Sequence, residues 1–142
     1  MSSISEPPLP EKLQPNEDFT RFIRNRDHFA RTTGRVKPSA LLPRFNEESN
    51  RLETSIFRTR GMSSVDLWQL GYMHVEGATK PTIKARASGP CALVKPPLSL
   101  DVNGPPFPSH VDIIGWSSQK HVQLQHATNI TDKLALELDP RQ

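Results

Sequence analysis

The chain of 142 residues has a single cysteine, Cys91. One cysteine cannot form an intrachain disulfide, and it excludes a zinc site built from several cysteines of the same chain. No acidic residue and no histidine lies within three positions of Cys91. We therefore expect a buried and unreactive thiol rather than a nucleophile.

Long apolar runs are also missing. The longest ones, such as residues 92–94, span only a few positions, whereas a membrane helix needs about 20 apolar residues. The N-terminal residues lack the basic and apolar regions of a secretory signal. These absences predict a cytoplasmic protein with no membrane partner.

The familiar catalytic signatures do not occur. The sequence contains no G-x-x-x-x-G-K-[ST], no G-x-G-x-x-G, no H-E-x-x-H and no G-x-S-x-G. Their absence excludes the common phosphate-loop, dinucleotide-binding, zinc-protease and serine-hydrolase classes. We expect no cofactor and no metal.

Positive charge is concentrated in one stretch of the chain. The 18 Lys and Arg against 15 Asp and Glu give a net charge of +3, but residues 20–44 alone carry seven bases and one acid, or +6. Residues 1–19 sum to −3, and residues 45–142 are neutral. We call residues 20–44 the basic segment.

Arginines alternate with apolar and aromatic side chains in the basic segment, most clearly in RFIRNR. Cations that neutralise phosphates, beside aromatic faces that stack on bases, are typical of nucleic-acid-binding surfaces. The predicted nucleic-acid-binding residues are Arg21, Arg24, Arg26, Arg31, Arg35 and Lys37. The alternative is that the phenylalanines pack in the core and the arginines form a solvated rim.

Residues 1–18 form an acidic, proline-rich arm with few large apolar side chains. Such an arm buries too little surface to offset its ordering entropy, so it is either flexible or docked on a partner. Leu9 and Leu13 are the predicted contacts with a protein partner. We expect residues 19–142 to form a single α+β domain.

Alternation and capping signals predict the elements of that domain. Strands are predicted at residues 54–58, 82–87, 98–102 and 111–116, the last being the most apolar and central. Helices are predicted at residues 63–74 and 117–138, the first capped by Ser63 or Ser64. We expect a sheet of about four strands covered by two helices, with an extended N-terminal arm.

His110 suggests a different function. It follows a proline-rich loop, and Asp112, two residues on, lies on the same side of a strand. With Arg58 as an anion clamp, His110 as base and Asp112 as its orienting partner, the chain would be a small phosphate-directed transferase or hydrolase. The alternative is a histidine that hydrogen-bonds a carbonyl of its own loop. The enzyme interpretation requires Arg58 and His110 to converge on one pocket.

The order VKPSALLP, SIFR, a helix with Trp68, PPFPSH, IIGW and a closing helix resembles a loose family of short bacterial proteins with no assigned activity. The resemblance covers residues 35–138. It implies that SIFR and the loop before His110 are shared features, and nothing about activity.

The charge pattern and the missing motifs together favour binding over catalysis. We expect a small non-catalytic binding or accessory component of a larger assembly, which contacts a polyanion such as nucleic acid through the basic segment.

Overall fold

Nine β-strands and two α-helices form the described part of the chain, which in this computed structural model comprises residues 13, 14, 16–76, 82–104 and 109–141. The strands are β1 (Asp18–Ile23), β2 (Phe29–Ala30), β3 (Arg35–Val36), β4 (Arg44–Asn46), β5 (Arg51–Arg58), β6 (Ala85–Pro90), β7 (Ser99–Gly104), β8 (His110–Ile114) and β9 (Ala135–Leu138). The helices are α1 (Ser64–Gly71), extended by a π-helical turn at Tyr72–Glu76, and α2 (Lys120–Thr131). Three-residue or four-residue 3-10 turns occur at Arg26–His28, Pro38–Leu41 and Cys91–Leu93.

Seven of the strands form one sheet with antiparallel pairing. Six follow the order β7-β8-β5-β1-β6-β9, and β4 pairs in addition with β5. Strand β5 pairs with two strands along its length. Its first residues, Arg51 to Glu53, pair with β4, and its last two, Phe57 and Arg58, pair with β1. Strands β2 and β3 form a separate hairpin.

The two helices cover opposite faces of the sheet. Ile23 of β1 and Ile56 of β5 join Ile130 of α2 in the larger hydrophobic core. Phe22 and Phe57, their immediate neighbours, join Trp68 and Leu70 of α1 in a second cluster. Since successive strand residues point to opposite faces, α2 lies on one face and α1 on the other. Neither helix is long and apolar enough to span a bilayer.

The α+β class predicted from the sequence is confirmed, but the sheet is larger than the four strands expected. The four predicted strands correspond to β5, β6, β7 and β8, and the first predicted helix to α1 with its π-helical turn. Ser63 caps α1 by accepting a hydrogen bond from the backbone N–H of Asp66, at 3.2 Å.

Two expectations about the fold are wrong. The last helix does not reach residue 138: α2 ends at Thr131, and the chain returns as β9 beside β6, where Leu136 and Leu138 pack against the core. Strand β8 is not central, because only β7 lies between it and the edge of the sheet. Strand β1 starts at Asp18, the last residue assigned to the arm.

A buried ion pair ties the start of β1 to the sheet. The guanidinium of Arg58, which is 1% exposed, donates from Nε to Oε1 of Glu17 at 2.8 Å and from Nη2 to Oε2 at 2.6 Å. The backbone N–H of Gln14 donates to the same carboxylate at 2.7 Å. Burial disfavours the charge on Glu17, but the hydrogen bonds from Arg58 and Gln14 outweigh it and hold the pKa of this carboxyl below its usual value.

Replacing Glu17→Gln should lower the free energy of unfolding by about 3–5 kcal/mol, because the buried guanidinium of Arg58 would lose the negative charge of Glu17. Urea denaturation followed by tryptophan fluorescence measures the change. The control is Glu48→Gln, in the exposed turn between β4 and β5, which should leave stability within about 0.5 kcal/mol of the parent. A destabilisation by Glu17→Gln as small as that of the control would contradict the role of the pair.

The same pair predicts a dependence on pH. The folded-state pKa of Glu17 lies below its unfolded value of about 4.5, so its contribution is complete above about pH 5 and is lost as the pH falls through the folded-state pKa. The stability difference between the parent and Glu17→Gln should therefore shrink in acid. Urea denaturation from neutral pH to about pH 3 tests this, and parallel stability curves for the two proteins would count against it.

Candidate nucleic-acid interface

The large apolar residues of the basic segment lie in the core. Phe22, Ile23 and Phe29 are all buried, and Phe22 and Ile23, which are consecutive in β1, pack in the two clusters on opposite faces of the sheet. The interpretation in which the phenylalanines pack in the core is confirmed. These aromatic side chains therefore offer no stacking surface to a base.

Most cations of the segment are on the surface. Arg26 lies on a 3-10 turn, Arg31 in the turn of the β2–β3 hairpin, Arg35 on β3, and Lys37 just after it, and all four are exposed. Arg24 is half-buried at the end of β1. The hairpin thus displays several of the predicted binding residues to solvent.

Arg21 occupies a different position. Strands β1 and β4 pair with different portions of β5, and Arg21 lies at the gap between these two strands. Its Nε donates to the carbonyl of Ala40 at 3.0 Å, and its Nη1 donates to the carbonyl of Ser55 at 2.8 Å. Ser55 lies between the residues of β5 that pair with β4 and those that pair with β1. We call this place, with Arg21 and the neighbouring Arg44, the fork.

The charge of Arg21 has no carboxylate partner among the described residues. Burial, and to a lesser extent the positive charge of Arg44, lower the pKa of Arg21 to about 10. The guanidinium stays protonated at neutral pH, so the fork holds a partly desolvated cation beside a second cation. This arrangement favours an anion.

The pKa of His28 is affected by several positive charges of the basic segment. Burial lowers the pKa of its imidazole below the usual value, and the nearby charges of Arg21, Arg44 and Lys37 lower it further, against the opposing effect of Asp27. Residues that are far apart in the basic segment are therefore gathered around one point. The sequence predicted the charge excess but not this grouping.

A cavity of about 340 Å³ opens at the fork between β1, β4 and β5. Its lining residues are Arg21, Leu42, Arg44, Phe45, Asn46, Glu47, Glu53, Thr54 and Ser55. Arg44 is exposed, and Phe45 is 57% exposed. Neither residue is among the binding residues predicted from the sequence, because β4 is too short to stand out as a strand.

The predicted pair of His110 and Asp112 is present. Nε2 of His110 lies 3.3 Å from Oδ1 of Asp112 and 3.2 Å from Oγ of Ser55, a residue that the sequence did not single out. Nucleophilic triads place the carboxylate on one ring nitrogen and the hydroxyl on the other. Here both oxygens face Nε2, so the cluster does not have the arrangement of a triad.

Arg58 does not join this pair. His110 lies directly opposite Phe57 in the β5–β8 ladder, so the side chain of the next residue, Arg58, projects from the other face. Its guanidinium is bound to Glu17 in the interior. Arg58 and His110, which the enzyme interpretation requires in one pocket, therefore lie on opposite faces of the sheet. His110 and Asp112 also line none of the four cavities described, including the one at the fork.

The predicted partner contacts of the arm fall in two places. Leu13 is half-buried, packs against the core of its own chain, and lines a cavity of about 520 Å³ near β7. Leu9 lies outside the described residues. The apolar contact expected of Leu13 is thus made within the chain, at least in part.

No group of three or more histidine, cysteine, aspartate and glutamate side chains among the described residues is placed to hold a metal ion. Cys91 is buried, as expected, and burial raises the pKa of its thiol to about 11.

Comparison of the chain with protein-family models, with characterised proteins and with solved structures gives no match.

The substitution Arg44→Gln should raise the pKa of His28, because it removes one of the positive charges that disfavour the imidazolium. Titration of the imidazole C–H signals by NMR measures the shift. Lys120→Gln, on the exposed start of α2, is the control and should leave the titration unchanged. An unaltered pKa in Arg44→Gln would show that these cations are not close in solution.

Proposed function

We propose that the protein is a small cytoplasmic binding or accessory component, which contacts a polyanion, above all nucleic acid, through a cationic surface around the fork. The surface consists of Arg21, Arg26, Arg31, Arg35, Lys37 and Arg44. It keeps most of the residues expected from the sequence and adds Arg44.

The observation that carries the proposal is how the chain treats its arginines. Outside the basic segment, four arginines form ion pairs with carboxylates of the same chain: Arg51, Arg58, Arg86 and Arg141. Arg21 and Arg44 form no ion pair with the described residues. Cations held close together without internal counter-charges repel each other, and phosphates relieve that repulsion while releasing counterions.

The exposed cations of the basic segment also extend beyond the fork. The fork lies beside the middle of β5, between its pairing with β4 and its pairing with β1, and the exposed residues of the β2–β3 hairpin add positive charge in the same segment of the chain. A polymer of phosphates can contact several of these cations at once. A single small anion would use only the fork.

The enzyme alternative has less support. A phosphate-directed transferase or hydrolase would need an anion clamp beside His110, and the residue expected to act as that clamp, Arg58, is bound to Glu17 on the other face.

Binding of a fluorescently labelled oligonucleotide, measured by anisotropy at several salt concentrations, tests the proposal. The affinity should fall steeply with salt, and the double variant Arg31→Gln, Arg35→Gln should flatten the logarithmic slope by about 0.7 for each single-strand phosphate that these arginines neutralise. The control, Lys120→Gln with Lys133→Gln, removes the same charge from exposed positions outside the basic segment. Undetectable binding, or equal effects of the two double variants, would refute the proposal.

A further inference from the structure

We infer that the fork holds one phosphate of a single nucleic-acid strand and that Phe45 stacks on a neighbouring base. This inference rests on the proposed function and narrows it, from a polyanion in general to a single strand with exposed bases.

The guanidinium of Arg21 is positioned before any ligand arrives. Two backbone carbonyls, those of Ala40 and Ser55, hold its Nε and Nη1 in place, and Nη2 makes no hydrogen bond with the described residues. Arginine presents a planar set of donors that matches a phosphate group. Because the side chain is already ordered, little further conformational entropy is lost when the anion binds.

Arg44 supplies a second charge at the same cavity. It is exposed and lies close enough to Arg21 to lower the pKa of that guanidinium. Arg21 is fixed and Arg44 is free to adjust, so the two can approach one phosphate from different directions. A phosphate there would remove the repulsion that the two arginines now exert on each other.

The acidic residues of the cavity do not cancel this charge. Oε2 of Glu53 accepts hydrogen bonds from Nε of Arg51 at 2.8 Å and from Oγ of Ser49 at 3.2 Å, so its negative charge is already compensated. Glu47 lies in the exposed turn after β4, where solvent screens its charge.

Phe45 gives the site its selectivity. Of the large hydrophobic side chains that are exposed in the described part of the chain, only that of Phe45 is aromatic. Pairing with Leu52 of β5 fixes the backbone of Phe45. Exposed apolar rings at a cationic groove are typical platforms for unpaired bases. A duplex keeps its bases stacked inside, so only a single strand can use such a ring.

The cavity brings the two contacts together. It is lined by Arg21, Arg44 and Phe45, although Arg44 and Phe45 are successive residues whose side chains leave β4 on opposite sides. Arg21, two residues before Ile23 in β1, lies on the same face as Phe45, and Arg44 reaches the cavity from the other side of β4. A nucleic-acid strand that enters the gap between β1 and β4 can therefore place a phosphate between the two arginines and a base on the phenyl ring.

The test uses the full chain and three labelled probes of one sequence, about ten nucleotides long: single-stranded DNA, single-stranded RNA and duplex DNA. Both single strands should bind more tightly than the duplex. Phe45→Ala should weaken single-strand binding by about tenfold, whereas Phe45→Trp should preserve it. Val65→Ala is the matched control, since Val65 is an exposed apolar residue (70%) on α1, away from the fork.

The phosphate contact is tested separately. Arg21→Lys should weaken binding because the variant lacks the planar donor set, and Arg44→Gln should lower the salt slope by about 0.7. The side chain of Arg44 forms no hydrogen bond in the described part of the chain, so this variant remains informative even if Arg21→Lys disturbs the fold, which circular dichroism checks.

The outcomes separate this inference from the function on which it rests. If binding is strong, and the double variant Arg31→Gln, Arg35→Gln weakens it while Phe45→Ala does not, the base contact is refuted and the polyanion function stands. Equal affinity for the duplex and the single strands likewise overturns the inference alone. Absence of binding to all three probes overturns both.

Discussion

The ion pair between Glu17 and Arg58 fixes how β1 lies against β5. Glu17 immediately precedes β1, and Arg58 ends β5 opposite Phe19. Because both charges are buried, a shift of register would separate them in a medium where unpaired charges are costly. This register places Phe22 beneath α1 and leaves Arg21 near Ser55, beyond the last paired residues. The position of the fork therefore depends on a contact at the other end of the strand.

The chain uses arginine for two purposes, and burial alone does not distinguish them. Arg58 and Arg86 are both buried, and each pairs with a glutamate, so their charge is used to hold strands and helices together. Arg21 is also partly buried, but its hydrogen bonds go to uncharged carbonyls. A carbonyl orients a guanidinium without neutralising it. The charge of Arg21 is thus available to a ligand, whereas the charges of the other two are not.

Sequence patterns predicted those parts of the fold in which local periodicity and packing agree. Strand β8 is recognisable because its apolar residues are nearly continuous, and α1 because Ser63 and Asp66 mark its start. Strand β1 was hidden, since its arginine at position 21 suggested a surface segment although its neighbours are buried. At β9 the spacing of Leu134 and Leu138 fits a helix as well as a strand, and pairing with β6 decides between them.

For the site, composition predicted where the positive charge lies, but not what surrounds it. Arg44 and Phe45 reach the fork only through the pairing of β4 with β5, and the partner of Arg58 is 41 residues away in the chain. Such contacts depend on the register of distant strands, which local patterns do not encode.

The same register decides the chemistry at His110. Phe57 faces the imidazole across the ladder and Arg58 does not, because one step along a strand reverses the face of the sheet. A slip of one residue would bring Arg58 to His110, but it would also break the buried pair with Glu17 and drive core residues of β5 to the wrong face. The interaction that secures the fold is thus also the one that keeps this arginine away from the histidine.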